Sequence, residues 1–256
     1  ALPISGIEMM LAVDVSNSML AQDFEPSRLE RTKFAIDRLT QQLEQDRIGL
    51  IVFAGDAYMQ LPITSDYVAA RSFAAQISPT MVSKQGTAIG AAIDLAASSF
   101  SSGSEGSRVI VVISDGENHE DDALAAAKAA AEKGIRIYTI GIGTPEGAPI
   151  SIDGEFIKDE QGDMVVSKLD EQMLEQIALT TGGAYIRATN RSLGLDEIVQ
   201  KINEVEKKEL TSTVFEDFNE QYQYLIGLAL ALLLLEFAML ERRSRLLARF
   251  NIFRKR

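Results

Sequence analysis

A short polar segment follows the first apolar run of the chain, and its side chains are of the types that bind hard cations. Asp14, Ser16 and Ser18 come directly after residues 7–13, a mostly apolar run of strand length. A spacing of two residues directs side chains to the same side of an extended segment. One carboxylate and two hydroxyls suit a divalent cation such as Mg²⁺. The alternative is a simple turn after the strand, because Ser and Asn are common turn residues.

The chain around this segment alternates strand-like runs with helical segments. The runs 48–54, 109–113 and 135–142 are apolar without alternation, which is typical of parallel strands buried on both faces. Further strands are predicted over 57–61 and 184–187, and helices over 27–45, 66–77, 88–100, 121–133, 170–181 and 192–210. We therefore expect an α/β domain over 1–210, with a Rossmann-like, mainly parallel central sheet flanked by helices.

One segment of this domain has a different pattern. Residues 148–169 contain two turn signals, Asp153-Gly154 and Gln161-Gly162-Asp163, with short apolar stretches around them. This arrangement predicts a β-hairpin insertion appended to the edge of the sheet.

Two more polar residues are expected beside the first segment. Asp115 ends the strand over 109–113 as Asp14 ends the first strand, and Thr87 lies in a loop before a helix. Open α/β sheets bind ligands at the carboxyl ends of their strands, where the strand order reverses. The predicted metal site consists of Asp14, Ser16, Ser18, Thr87 and Asp115. Because two of these five side chains are anionic, we expect an open metal position that an acidic group of a partner protein fills.

The combined pattern resembles a known type of metal site. Asp14-x-Ser16-x-Ser18, Thr87 in a separate loop and Ser114-Asp115-Gly116-Glu117 are similar to the metal-ion-dependent adhesion site of von Willebrand factor A domains. The resemblance covers residues 7 to about 210. It implies that the serines and the threonine bind Mg²⁺, or Mn²⁺ or Ca²⁺, directly, and that one or both aspartates act through water.

A narrower resemblance concerns two further segments. Residues 23–29, after the metal loop, and Leu235-Glu236-Phe237 are similar to the Bat-type, aerotolerance-associated membrane proteins of bacteria. This resemblance implies other Bat-type proteins with the same domain, and a MoxR-type AAA+ ATPase, as partners. Such proteins usually carry membrane helices before the domain, so we expect that the native N-terminus is missing or altered here.

Charge divides the chain into two parts. Residues 1–221 carry 18 Lys and Arg against 35 Asp and Glu, whereas residues 241–256 carry seven basic residues and one acidic residue. The acidic domain argues against a nucleic-acid partner, which requires a basic face. Between the two parts, Glu236 is the only charge over 224–240, a length of roughly 25 Å as a helix.

This apolar run predicts a membrane anchor. We expect a juxtamembrane segment over 211–221, a transmembrane helix over 222–240 in contact with the lipid bilayer, and a basic tail over 241–256. A buried core helix is the alternative. The positive-inside rule puts the tail in the cytoplasm and the domain in the periplasm, at the bacterial inner membrane.

Other chemistry has little support in the sequence. The chain has no cysteine and one histidine, His119, which excludes a zinc site with several Cys and His ligands. We expect His119 to be a solvated loop residue, with a contact near the metal or to a partner as the alternative. We expect a protein-binding module rather than an enzyme. The alternatives are a metal-assisted hydrolase with Glu117 as general base, and a scaffold with a purely structural metal.

Overall fold

The computed structural model describes most of the chain, in two compact units. The described residues are 6–43, 45–101, 107–118, 120–152, 154–159, 161–189, 191–216 and 222–241. The first unit covers residues 1–204 and the second covers residues 205–256.

The strands are β1 (Glu8–Asp14), β2 (Arg47–Phe53), β3 (Ala57–Thr64), β4 (Arg108–Ser114), β5 (Arg136–Gly141), β6 (Ala148–Pro149), β7 (Ser151–Ile152), β8 (Glu155–Phe156), β9 (Val166–Ser167) and β10 (Tyr185–Arg187). The helices are α1 (Arg28–Gln42), α2 (Tyr67–Ala75), α3 (Ile89–Ser98), α4 (Ala123–Glu132), α5 (Glu171–Thr180), α6 (Leu195–Glu216) and α7 (Tyr222–Glu241). The boundary between the two units falls inside α6.

A six-stranded sheet forms the centre of the first unit, in the order β10-β5-β4-β1-β2-β3. Neighbouring strands are parallel except β2 and β3, which are antiparallel. The strand order reverses between β1 and β4, so their carboxyl ends lie side by side. Val13 pairs with Ile113, which places Asp14 level with Ser114 at this edge.

Helices cover both faces of the sheet because both faces of its inner strands are apolar. Along β1, Met9, Leu11 and Val13 belong to the core that contains residues of α1, α2 and the start of α6. Met10 and Ala12 belong to the opposite core, formed with α3, α4 and α5. The predicted α/β fold class, with a mainly parallel sheet flanked by helices, is confirmed.

The strand β3 is longer than predicted. It continues through Pro62 to Thr64, beyond the predicted end at residue 61. Pro62 is exposed, and the β2–β3 register shifts on both sides of Leu50. Edge strands and bulges tolerate proline because its missing N–H costs no hydrogen bond between strands there.

The hairpin insertion forms, but it does not extend the central sheet as expected. Its short strands pair with one another, β6 with β9 and β7 with β8, and a bridge joins Lys158 to Met164. The edge next to β5 is already occupied by β10, so the insertion pairs with itself. Asp153 of the predicted turn lies outside the described residues.

The second unit contains the end of α6 and the helix α7. Within the described residues, no helix reaches the combination of length and apolar character that crossing a membrane requires. The transmembrane helix expected over 222–240 is therefore not confirmed and stays a prediction. Most of the basic tail, residues 242–256, lies outside the described residues.

Candidate metal site

Asp14, the last residue of β1, is fully buried and organises the first loop of the site. Its Oδ1 accepts the backbone N–H of Ser16 at 2.8 Å, and its Oδ2 accepts the hydroxyl of Ser114 at 2.6 Å. The hydroxyl oxygens of Ser16 and Ser18 lie 2.8 Å apart where a short 3₁₀ turn begins. The three predicted residues of this loop therefore form one hydrogen-bonded group.

Thr87 is buried in a second loop that is tied to the first one. The side-chain Oε1 of Gln85 accepts the backbone N–H of Asn17 at 3.2 Å. On the other side of Thr87, the N–H of Ala88 donates to the carbonyl of Ala54 at 2.7 Å, just after β2. These contacts bring the two loops together. Among the described residues, no hydrogen bond joins the Thr87 hydroxyl to the other predicted ligands.

Asp115, the first residue after β4, is fully buried and paired with a buried arginine. The Nη1 of Arg28 lies 3.1 Å from Oδ2 of Asp115, and the hydroxyl of Ser167 donates to the same oxygen at 2.9 Å. The other oxygen, Oδ1, accepts the backbone N–H of Glu117 at 3.3 Å. The protein therefore holds the Asp115 carboxylate from two sides.

Arg28 joins three separate parts of the site. Its Nε and Nη2 bind the two oxygens of Asp23 at 2.7 Å each, in a bidentate pair. Its Nη1 donates to the hydroxyl of Ser167 at 2.8 Å and reaches the carbonyl of Ser18 at 3.5 Å. Asp23 also accepts two hydrogen bonds from Thr144. A buried guanidinium needs such partners for its donors, and they connect the first loop, the β4 loop and the hairpin insertion.

The sequence did not predict this network. Segment 23–29 contains a signal, an acid and an arginine five residues apart directly after the first loop, but the sequence pattern places Arg28 only near the start of the predicted helix over 27–45. Ser27 does cap α1, with its side chain accepting the N–H of Glu30 at 3.2 Å. Ser167 gave no comparable signal, because it is 139 residues away from Arg28 in the chain.

The two predicted aspartates differ in electrostatic environment. Burial raises the pKa of Asp14 to about 7, and the nearby Asp115 charge adds to the shift, while hydrogen bonds from Ser114 and Ser16 oppose it. Burial would also raise the pKa of Asp23, but the Arg28 guanidinium outweighs that effect and lowers it. Asp115 and Asp23 thus share a cation, whereas Asp14 has no ion pair among the described residues.

The donor set fits a hard divalent cation. It offers two carboxylates and three hydroxyls, all buried. Neighbouring ligands of an octahedral Mg²⁺ at about 2.1 Å are about 3 Å apart, close to the 2.8 Å between the Ser16 and Ser18 oxygens. The pKa of Asp14 is raised, and a positive charge bound beside it would lower that pKa and favour the carboxylate form. In the described part of the chain, no cluster of three Asp, Glu, His or Cys residues is suited to a metal.

Two further residues, Glu117 and His119, were considered for roles near the metal. The Oε1 of Glu117 accepts the backbone N–H of Lys168 at 3.0 Å, which ties the β4 loop to the hairpin insertion. Glu117, the candidate general base of a hydrolase, therefore makes a contact that holds two loops together. His119 lies outside the described residues.

Comparison with known proteins identifies the domain. The model of the von Willebrand factor type A domain matches residues 8–202. An aerotolerance-related membrane protein from Bacteroides fragilis, whose structure was solved with multiple mutations to serines, is 52% identical, with a TM-score of 0.75. The conserved hypothetical protein BatB from Bacteroides thetaiotaomicron is 50% identical, with a TM-score of 0.73. In both cases the match covers 78% of this chain and 100% of the solved chain.

A more distant structure shares the fold. Proximal thread matrix protein 1 from the mussel byssus, with a zinc-occupied MIDAS motif, is 15% identical, with a TM-score of 0.57. The match covers 79% of this chain and 46% of that protein. On the strength of the family model and the two Bacteroides structures, the chain belongs to the von Willebrand factor type A domain family and is of the Bat, aerotolerance-related type.

Proposed function

We propose that this protein is a divalent-metal-dependent protein-binding module anchored to a bacterial membrane. The metal ligands are Asp14, Ser16, Ser18, Thr87 and Asp115, and Mg²⁺ is the proposed metal, with Mn²⁺ or Ca²⁺ as alternatives. The observation that carries the proposal is the close pair of buried hydroxyls, Ser16 and Ser18, beside the buried carboxylate of Asp14.

The number of ligands favours an acidic partner. A bound divalent cation supplies a Lewis-acidic position at which a carboxylate oxygen can bind. Asp115 and Asp23 share the single positive charge of Arg28, which leaves one negative charge uncompensated. That charge and the carboxylate of Asp14 would together offset a dication. Five side-chain ligands leave at least one of about six positions on Mg²⁺ open, and we expect an Asp or Glu of the partner protein to fill it.

A non-enzymatic role accounts best for the groups around the metal residues. A metal-assisted hydrolase needs a general base placed to activate water. Glu117, the residue considered for that task, binds the backbone of Lys168. In the described part of the chain no contact favours hydrolysis, so we do not propose it as a second function.

Membrane attachment is the second part of the proposal. It rests on the run 224–240, where Glu236 is the only charge, and on the basic tail that follows. The described large apolar side chains over 226–235 are 58 to 64% exposed in α7. We place the metal domain in the periplasm and the tail in the cytoplasm of a bacterial inner membrane. Other Bat-type proteins and a MoxR-type AAA+ ATPase are the proposed partners, and nucleic acid is not.

The test is crosslinking of the full chain in its native membranes, with Mg²⁺ or with EDTA, followed by purification under denaturing conditions. We expect crosslinked partners with Mg²⁺ and their loss both in EDTA and in Asp14→Ala. Ser72→Ala, which removes an exposed hydroxyl on α2, is the matched control and keeps the partners. Partners that survive both EDTA and Asp14→Ala would show that the metal does not mediate binding. If wild-type protein binds Mg²⁺ but EDTA leaves partner affinity unchanged, the metal is purely structural.

A further inference from the structure

The hairpin insertion is attached at both of its ends to the ion pair between Asp23 and Arg28. Thr144, which precedes β6, donates its backbone N–H and its hydroxyl to Oδ2 of Asp23, at 2.9 and 3.2 Å. Ser167, the last residue of β9, accepts a hydrogen bond from Nη1 of Arg28 at 2.8 Å. The N–H of Leu169 donates to the carbonyl of Thr144 at 3.2 Å and joins the two ends. The insertion therefore begins and ends on the same buried network.

The end of the insertion also contacts the loop that carries Asp115. The hydroxyl of Ser167 donates to Oδ2 of Asp115 at 2.9 Å, and the N–H of Asp170 donates to the backbone carbonyl of Asp115 at 2.8 Å. Between these two residues, the N–H of Lys168 donates to the side chain of Glu117 at 3.0 Å. Residues 167–170 therefore hold both the backbone and the carboxylate of a proposed metal ligand.

The hydrogen bonds of Asp115 determine which of its oxygens is left to serve a metal. Its Oδ2 accepts from Nη1 of Arg28 at 3.1 Å and from the hydroxyl of Ser167 at 2.9 Å. Its Oδ1 accepts the backbone N–H of Glu117 at 3.3 Å, the one contact of this oxygen among the described residues. Each oxygen of a carboxylate accepts about two hydrogen bonds, so Oδ2 is saturated and Oδ1 keeps capacity for a metal ion or its bound water. Ser167 and Arg28 together fix the carboxylate in this orientation.

Ser167 is buried and is held through both its side chain and its backbone. The residue is 2% exposed, and the side chains of Arg28 and Asp115 beside it are fully buried. Arg28 also donates from Nη2 to the backbone carbonyl of Ser167 at 3.3 Å. At the other end of the insertion, a Cβ at Gly143 would lie 3.0 Å from Cζ of Arg28, so the chain packs closely on the guanidinium there as well. A displacement of the insertion would therefore disturb Arg28 and Asp115.

We infer that the hairpin insertion regulates the metal site through Ser167, which acts as a positioning residue for Asp115 and not as a ligand. The inference rests on the proposed function, because it concerns the metal of the same site. Side chains that orient a metal ligand through a hydrogen bond typically contribute about 10–100-fold to metal affinity. Linkage is reciprocal, so the bound metal stabilises the attachment of the insertion as much as that attachment strengthens metal binding. A partner protein that shifts the insertion changes the metal affinity by the same route.

The test compares two variants of the full chain in detergent. Ser167→Ala removes the hydroxyl that lies between Arg28 and Asp115. Thr139→Val is the matched control, because Thr139 is also buried and its hydroxyl donates to the carbonyl of Leu174, at 2.9 Å, in the contact between β5 and α5. Calorimetry measures the Mg²⁺ affinity of each protein, and urea unfolding in EDTA measures its stability without metal.

We expect Ser167→Ala to bind Mg²⁺ at least about 10-fold more weakly than wild type. Thr139→Val should lose stability in EDTA but keep the wild-type Mg²⁺ affinity, because a general loss of stability does not reorient Asp115. Equal Mg²⁺ affinity of Ser167→Ala and wild type overturns the inference and leaves the proposed function standing, and so does an equal loss of affinity in both variants. A wild-type chain that binds no Mg²⁺ overturns the metal site of the proposed function, and the inference with it.

Hydrogen exchange of the wild-type chain tests the reciprocal effect and does not depend on the folding of a variant. We expect Mg²⁺ to slow exchange over residues 144–170, which include the N–H groups of Lys168 and Asp170, and to leave α2 unchanged. In Ser167→Ala, saturating Mg²⁺ should protect this segment less than in wild type. A wild-type chain that binds Mg²⁺ with unchanged exchange over 144–170 overturns the inference and leaves the proposed function standing.

Discussion

The guanidinium of Arg28 lies 3.1 Å from the carboxylate of Asp115, and both side chains are fully buried. This ion pair links the first helix to the loop after β4, at the edge of the sheet where the proposed metal ligands lie. Asp23 shares the same guanidinium through a bidentate contact at 2.7 Å. Arg28 is thus the shared cation of both carboxylates, and the three side chains together keep one negative charge.

Removal of Arg28 is expected to destabilise the domain strongly. Arg28→Ala leaves Asp115 buried without its cation and removes the bidentate contact to Asp23. Breaking a buried ion pair by removing one partner costs about 3–5 kcal/mol. Urea unfolding followed by circular dichroism should show a loss of this size in the free energy of unfolding.

The control for this loss is an exposed arginine. Arg38 is 70% exposed and lies 3.4 Å from Asp196. Arg38→Ala should change the free energy of unfolding by less than about 1 kcal/mol, because exposed ion pairs contribute little. Similar small losses in both variants would contradict a structural role for the buried pair.

Four of the five residues proposed as metal ligands could be picked out in the sequence because they lie at or just after the ends of predicted strands, whereas Thr87 lies in a loop before a helix. Asp14, Ser16 and Ser18 lie within five residues of one another, and Asp115 directly follows β4. Ser167 was not predictable, since its contact with Asp115 depends on how the hairpin insertion folds back over the site. For Arg28, the sequence predicted only a position near the start of a helix. Local sequence patterns do not show that a charged side chain is buried.

The stability of the metal-free protein is expected to fall as pH rises from about 4 to 7. The pKa of Asp14 is raised from 3.8 to about 7 by burial and by the charge of Asp115. Between these pH values the folded state holds a proton on Asp14 that the unfolded chain has released. Raising the pH therefore favours unfolding, and the effect is complete above pH 7.

Urea unfolding in EDTA at pH 5 and at pH 7.5 tests this dependence. Asp14→Asn should flatten it, because the amide does not titrate, and Mg²⁺ should reduce it in wild type by favouring the carboxylate. Asp94→Asn, an exposed change on α3, is the control and should retain the wild-type dependence. An unchanged dependence in Asp14→Asn would assign the effect to another group.

The proposed membrane orientation is testable because the chain contains no cysteine. Ser98→Cys places a single thiol on the exposed surface of α3, and Ser244→Cys places one in the basic tail. In cells with a permeabilised outer membrane, a membrane-impermeant maleimide should label the first variant. The second should react only after the inner membrane is opened. Labelling of Ser244→Cys before the inner membrane is opened would contradict a cytoplasmic tail.

Mg²⁺ should stabilise the folded domain, and Thr87 is the decisive residue for the proposed ligand set. A ligand at 100 times its dissociation constant adds about 2.7 kcal/mol to the free energy of unfolding. Thr87→Val keeps the shape of the side chain and removes its hydroxyl. Ser16→Ala, in contrast, also breaks the hydrogen bond to Ser18.

Among the described residues, no hydrogen bond joins the Thr87 hydroxyl to the other four proposed ligands. We therefore propose that Thr87 joins the site only by binding the metal. We therefore expect Thr87→Val to leave stability in EDTA close to wild type and to reduce the stabilisation by Mg²⁺, measured by thermal unfolding with increasing MgCl₂. Ser72→Ala should match wild type in both conditions. A full Mg²⁺ effect in Thr87→Val would remove Thr87 from the ligand set and leave four residues to hold the metal.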